Sequence, residues 1–182
     1  MLANLITSVR LLALVPLYLL IVQDTVAARW AALAVLGVAG LSDILDGWVA
    51  RRFGLTSRFG AFLDLVADRL LTMVSLIALL TVGALPGWWA LAGLVLVGRF
   101  VVVAGLGEAF GDQGLKVTRL EKVKIGLQFL GLALLIAPPV FAAQGTVGRA
   151  SLAMAAVMTI WLVSGYVRTA LCRADAGKSA AA

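Results

Sequence analysis

The stretch Ser42-Asp43-Ile44-Leu45-Asp46-Gly47-Trp48-Val49-Ala50-Arg51, with its continuation Gly60-Ala61-Phe62-Leu63-Asp64-Leu65-Val66-Ala67-Asp68, decides the reading of the whole chain. Four of the nine acidic residues fall in it, within a protein that is otherwise 63% hydrophobic. On helices, Asp43 and Asp46 stand at i and i+3, and Asp64 and Asp68 at i and i+4, so each pair projects from one face. Left uncompensated near a bilayer centre, each carboxylate would cost about 2.5–3.5 kcal/mol. No structural purpose visible in the sequence offsets that cost, so a positively charged species is expected between the pairs.

The rest of the composition puts these aspartates in a membrane. Only 13% of the 182 residues are charged, against about 25% in soluble domains, and the mean hydropathy is +1.07. At ~20 residues per span, this length suits an all-α integral membrane protein with six transmembrane helices in one bundle. One domain over residues 1–173 is expected, with 174–182 as a disordered tail. The net charge of +6 does not indicate nucleic acid, because the cations are not interleaved with aromatics on a long polar segment. A single cysteine, Cys172, excludes an internal disulfide, and the absence of histidine removes the usual zinc and copper ligands. Leu11 to Val22 followed by Val26-Ala27-Ala28 has the outline of a signal peptide, but no Lys or Arg precedes Arg10, so the segment is read as a retained helix.

Taken in order, the first span is the apolar run to Val22, closed by Gln23-Asp24-Thr25, and the second is Val26 to Gly40, which brings Asp43 to a membrane edge. A basic link, 51–58, precedes the third helix, which carries Asp64 and Asp68 in its opening turns, so both pairs lie at one depth. Leu70 to Gly98 holds no charge and is broken by Gly83-Ala84-Leu85-Pro86-Gly87, a turn between spans three and four. Span five is Ile125 to Ala137, and span six runs from Val147 to about Leu171. With both termini inside, thirteen of fifteen cations fall on one side and only Arg29 and Arg149 on the other. By the positive-inside rule the aspartates therefore face the cytoplasm, from a multi-pass position in the cytoplasmic (inner) membrane.

Carboxylates without histidine or thiolate select hard divalent ions such as Mg²⁺ or Mn²⁺. Four suit two ions, and two such ions clamp the attacking and leaving oxygens of a displacement at phosphorus. Gly47, Ala50 and Gly60 leave room for close approach to the backbone, and Arg51 offers a planar guanidinium for phosphate oxygens.

Read as a pattern, DxxDGxxAR, eight residues, then GxxxDxxxD resembles the signature of the CDP-alcohol phosphatidyltransferase family, met here by Asp43, Asp46, Gly47, Ala50, Arg51, Gly60, Asp64 and Asp68. At about 7% usage per residue type, eight fixed positions coincide by chance on the order of once in 10⁹ starts. The resemblance implies a six-helix membrane fold and transfer of a phosphatidyl group from CDP-diacylglycerol to an alcohol, releasing CMP. It implies metal binding by Asp43, Asp46, Asp64 and Asp68, with Asp68 also the general base. It further implies contacts to the CDP-lipid from Gly47, Ala50, Arg51 and Gly60.

Asn4, Thr7 and Arg10, and the run Arg58-Phe59-Gly60-Ala61-Phe62-Leu63-Asp64, resemble the phosphatidylglycerophosphate synthase and cardiolipin synthase branch. The chain departs from that branch at Leu65, Arg69, Phe100, Glu121 and Ile125. The expected acceptor is sn-glycerol 3-phosphate, a small phosphorylated alcohol whose charge calls for several donors, with Arg99, Arg119, Lys122, Lys124 and Arg168 as candidates. Phosphatidylglycerol or inositol phosphate would be alternative acceptors in the same reaction class. The reading from another class, a divalent-cation transporter, lacks a polar path, since Leu70 to Gly98 and Ile125 to Gly148 are uncharged. Expected partners are the two substrates and membrane lipids, with a homodimer left open and nucleic acid excluded.

Overall fold

The computed structural model describes the backbone of residues 2–53, 58–110 and 119–180, and the side chains of 10–42, 66–103, 120–165, 167 and 168. Among the described residues there are six helices and no strand: α1 (Leu2–Gln23), α2 (Val26–Phe53), α3 (Arg58–Thr81), α4 (Trp89–Phe110), α5 (Arg119–Ile136) and α6 (Gln144–Ala180). Residues 174–180, read from sequence as a disordered tail, are part of α6. Both runs that carry aspartates are helical throughout, so the i,i+3 and i,i+4 spacings hold on the backbone. The link residues 54–57 and the polar residues 111–118 lie outside the described residues.

The breaks between helices follow from local chemistry. Between α1 and α2, Asp24 takes a left-handed φ of 51° and Thr25 caps α2 by accepting the Ala28 amide at 3.2 Å. After α3, Gly83 adopts φ 70°, and the bonds Ala84 N to Leu79 O (2.9 Å) and Gly83 N to Leu80 O (3.1 Å) form a Schellman cap. The carbonyls at the end of α5 are satisfied by one side chain: Gln144 Nε2 donates to Leu134 O at 2.9 Å, Ala137 O at 3.2 Å and Pro138 O at 2.9 Å.

Helix α5 packs along α6, α1 along α3 and α2, and α4 along α6, with lighter contacts from α3 to α4, α5 and α2 and from α2 to α5. Leu17, Leu36, Leu76, Leu79, Leu96, Leu132, Ile136 and Leu152 fill the centre. The tightest crossing is α5 on α6. A Cβ added at Gly131 would lie 2.7 Å from Leu152 Cγ and 2.9 Å from the Gly148 carbonyl oxygen, and one at Gly148 would lie 2.9 Å from Leu135 Cγ. Small residues of this kind let two helix backbones approach closely.

One described stretch, Gln144–Gly165, is long and apolar enough to cross a membrane, while Arg10–Gln23, Val26–Ser42 and Trp89–Val103 are shorter apolar stretches. Gly131→Ala should destabilise the fold by about 1–3 kcal/mol, because a backbone oxygen blocks the new methyl. Gly37→Ala, with nothing within 4 Å of the added carbon, serves as the control. Thermal melting in detergent reads the difference, and equal melting of the two variants would contradict this crossing.

Candidate active site

Two contacts lock the aspartate-bearing helices to α5. Gly40, three residues before Asp43 on α2, faces the Phe129 ring so closely that an added Cβ would lie 2.8 Å from Phe129 Cζ. The missing side chain lets α5 approach α2 one turn from the first aspartate pair. On the other side, buried Gln128 donates from Nε2 to buried Thr72 Oγ1 at 3.1 Å. Thr72 follows Asp68 by four residues on α3 and Gln128 follows Lys124 by four on α5. One polar bond thus sets the register that places Asp68 and Lys124 a turn away on the same facing sides.

That register assembles a charged cluster. Lys124 has 0% of its surface exposed, and its Nζ has no hydrogen-bond partner among the described residues. Arg99 on α4, Glu121 on α5 and Asp68 on α3 all lie within electrostatic range of it. Glu121 and Asp68 favour its charge, while burial and Arg99 oppose it. Arg99 Nη2 approaches Glu121 Oε1 at 3.6 Å, and Glu121 itself is 8% exposed. The guanidinium carbons of Arg69 and Arg99 lie 5.8 and 5.7 Å from the Phe100 ring centroid, so one aromatic face gathers two cations. Arg10, on α1, is also buried, at 4% exposure.

Of the residues expected from sequence, the structure brings together Asp68, Arg99 and Lys124. Lys122, two positions from Lys124, is exposed, and so is Arg168 on α6. Asp43, Asp46, Gly47, Ala50 and Arg51 belong to the backbone of α2, Gly60 and Asp64 to that of α3, and Arg119 to that of α5, while their side chains lie outside the described residues. Sequence reasoning noted Glu121 only as a departure. Its signal was available: it stands at i,i+3 from Lys124, so the two share a face, and it is the one acid among the cations from Lys116 to Lys124.

The residues fit a divalent cation by the chemistry of the donor set. Both aspartate pairs sit on helices that touch each other and share α5 as a neighbour. The flanking side chains are cations that a substrate anion, not a metal, would engage. The sequence model of the CDP-alcohol phosphatidyltransferases matches residues 1–161. The chain belongs to the CDP-alcohol phosphatidyltransferase family.

Individual relatives of this family member agree along most of its length. It is 36% identical over 177 residues, covering 92% of this chain and 88% of the other, to a protein of Pseudomonas fluorescens named CDP-diacylglycerol–glycerol-3-phosphate 3-phosphatidyltransferase. Proteins of the same name from Shigella flexneri serotype 5b and Escherichia coli K12 are 33% and 32% identical over 168 residues, covering 89% of this chain and 90% of each of theirs.

Within this phosphatidyltransferase, Lys124 and Thr72 should separate function from stability. Thr72→Val leaves the buried Gln128 amide without its acceptor and should cost about 1–3 kcal/mol. Lys124→Met removes a buried ammonium and its repulsion with Arg99, while Glu121 keeps Arg99 as its partner, so the fold should lose little. Melting temperatures should fall for the first and hold or rise for the second; a marked fall for Lys124→Met would make the lysine a structural residue.

Proposed function

We propose that this protein transfers the phosphatidyl group of CDP-diacylglycerol to the hydroxyl of sn-glycerol 3-phosphate, giving phosphatidylglycerol phosphate and CMP. The relatives that cover nine-tenths of the chain carry the name of that activity. The structural observation that carries the reading is the fully buried Lys124 next to Asp68 and Arg99. A buried ammonium with no hydrogen-bond partner among the described residues is costly, and a phosphate monoester near −2 charge would supply one. Phosphatidylglycerol brings only one diester charge, and a neutral alcohol none, so neither calls for two converging cations.

Asp43, Asp46, Asp64 and Asp68 would hold two Mg²⁺ or Mn²⁺ ions. Bound there, the ions supply charge neutralisation along the diphosphate of the CDP-lipid. Gly47, Ala50 and Gly60 admit the cytidine diphosphate against the backbone of α2 and α3, and Arg51 holds phosphate oxygens. Arg99 and Lys124 hold the acceptor phosphate, with Glu121 positioning Arg99. Asp68 accepts the proton of the acceptor hydroxyl as that oxygen bonds to the phosphatidyl phosphorus; the bond to the CMP oxygen breaks and CMP leaves. Asp68 is exposed, so an acceptor arriving from water can reach it.

The site would sit at the cytoplasmic edge of a six-span bundle. Large apolar side chains stand exposed around the helices, among them Leu12 at 75% and Trp161 at 74%, with Val101 and Val157, which suits a lipid-facing surface. The count of thirteen cations against two supports that orientation.

Purified protein given CDP-diacylglycerol and a panel of alcohols should yield phosphatidylglycerol phosphate by mass. Lys124→Met should raise the KM for glycerol 3-phosphate by tenfold or more, on the order of a lost charge-assisted bond, while exposed Lys122→Met should leave it near wild type. Cardiolipin or phosphatidylinositol phosphate as product, or equal effects of the two lysines, would overturn the acceptor assignment.

A further inference from the structure

The two cations on the minority side of the charge count, Arg29 and Arg149, line a pocket of about 410 Å³ at the far end of the bundle from the aspartates. On α2, Arg29 precedes Asp43 by fourteen residues, roughly 21 Å at 1.5 Å per residue. On the neighbouring helices, the pocket is bounded by Ala84, beyond the end of α3, and by the turn from α5 into α6. It is therefore separate from the catalytic cluster.

The pocket is held rigidly by polar groups that are already committed. Gln144 spends its amide on three carbonyls at the end of α5, and its Oε1 accepts the Val140 amide at 2.7 Å. Arg29 is neutralised by Asp24 through Nε at 2.6 Å and through Nη2, and its Nη1 donates to Ala137 O at 3.3 Å. Arg149 differs. Its Nε donates to Ala84 O at 2.9 Å, and its two terminal nitrogens have no further hydrogen bond among the described residues. The pocket thus carries one uncompensated positive charge, presented by a guanidinium fixed at its Nε.

Beside that charge the lining turns apolar and faces outward, with Val140 at 73% and Phe141 at 50% exposure. One planar cation with two parallel donors fits the two free oxygens of a phosphodiester monoanion. Apolar side chains next to it fit acyl chains. We propose that this pocket binds the phosphodiester headgroup of a membrane phospholipid through Arg149, in the leaflet opposite to the catalytic aspartates. The inference rests on the membrane-spanning reading of the bundle. The shared chemistry, a phosphate oxygen pair, could also come from free inorganic phosphate.

Native mass spectrometry of the full chain in detergent, with phosphatidylglycerol, with diacylglycerol of the same acyl chains, or with inorganic phosphate, tests it. Wild type should retain one phosphatidylglycerol that diacylglycerol does not replace, and inorganic phosphate should give no melting shift that depends on Arg149. Arg149→Gln should weaken retention about tenfold, with Arg149→Lys intermediate. Val140→Glu, which places a carboxylate on the exposed rim without touching the core, should weaken it likewise and covers the case in which Arg149→Gln does not fold. Lys124→Met should retain the lipid as wild type does, which places it away from the acceptor site. Unchanged retention in Arg149→Gln and Val140→Glu, loss in Lys124→Met, or a melting shift from inorganic phosphate that Arg149→Gln abolishes would each overturn the proposal. Transfer activity of the wild-type preparation reports separately on the proposed reaction.

Discussion

An ammonium with no exposed surface, held among helices whose outer faces are apolar, is the constraint on which the rest of the structure depends. Lys124 is expensive to bury, and the fold spends several features on keeping it where it is. Glu121 one turn before it and Asp68 across the helix interface favour its charge, and Gln128 one turn after it fixes the interface through Thr72. Gly40 removes a side chain so that Phe129 can bring α5 against α2. At the other end of α5, Gly131 lets α6 close over the helix. Helix α5 is thus clamped on several sides, and two of those clamps are to the helices that carry the aspartates.

This arrangement sorts charge by role. Asp43, Asp46, Asp64 and Asp68 belong to α2 and α3, and Arg99 and Lys124 to α4 and α5, with Asp68 and Lys124 at the boundary. In the proposed reaction a diphosphate with its neutralising ions would occupy the first side and the acceptor phosphate the second, with the acceptor hydroxyl between them. Glu121 belongs to this logic although it is negative. It holds Arg99 in reach and offsets the repulsion between Arg99 and Lys124, which would otherwise drive two cations apart.

Much of this was legible in the sequence, and the part that was not has one physical cause. The aspartate pattern named the family, and the turn at Gly83 to Gly87 and the break at Asp24 and Thr25 fall where turn and capping residues put them. Which face of α5 points inward was not legible. An apolar stripe marks the buried side of a helix only when the opposite face is polar, and from Ile125 onward α5 is apolar all round apart from Gln128. Hence Lys122 and Lys124 were read as equivalent, although one is exposed and the other fully buried. The i,i+3 relation of Glu121 to Lys124 was the one usable clue. The pocket at Arg149 was hidden for another reason: it is made by residues from α2, from the turn after α3 and from the α5–α6 connection, which only the folded chain brings together.

We propose that the four aspartates of α2 and α3 form one metal site beside the cation cluster. Electron paramagnetic resonance of Mn²⁺ bound to the purified protein tests it most directly. Two ions per chain are expected, with spectra showing magnetic coupling between them, reduced to a single uncoupled ion by Asp64→Asn and unchanged by Lys122→Met. One uncoupled ion in wild type, or a coupled pair that survives Asp64→Asn, would contradict it.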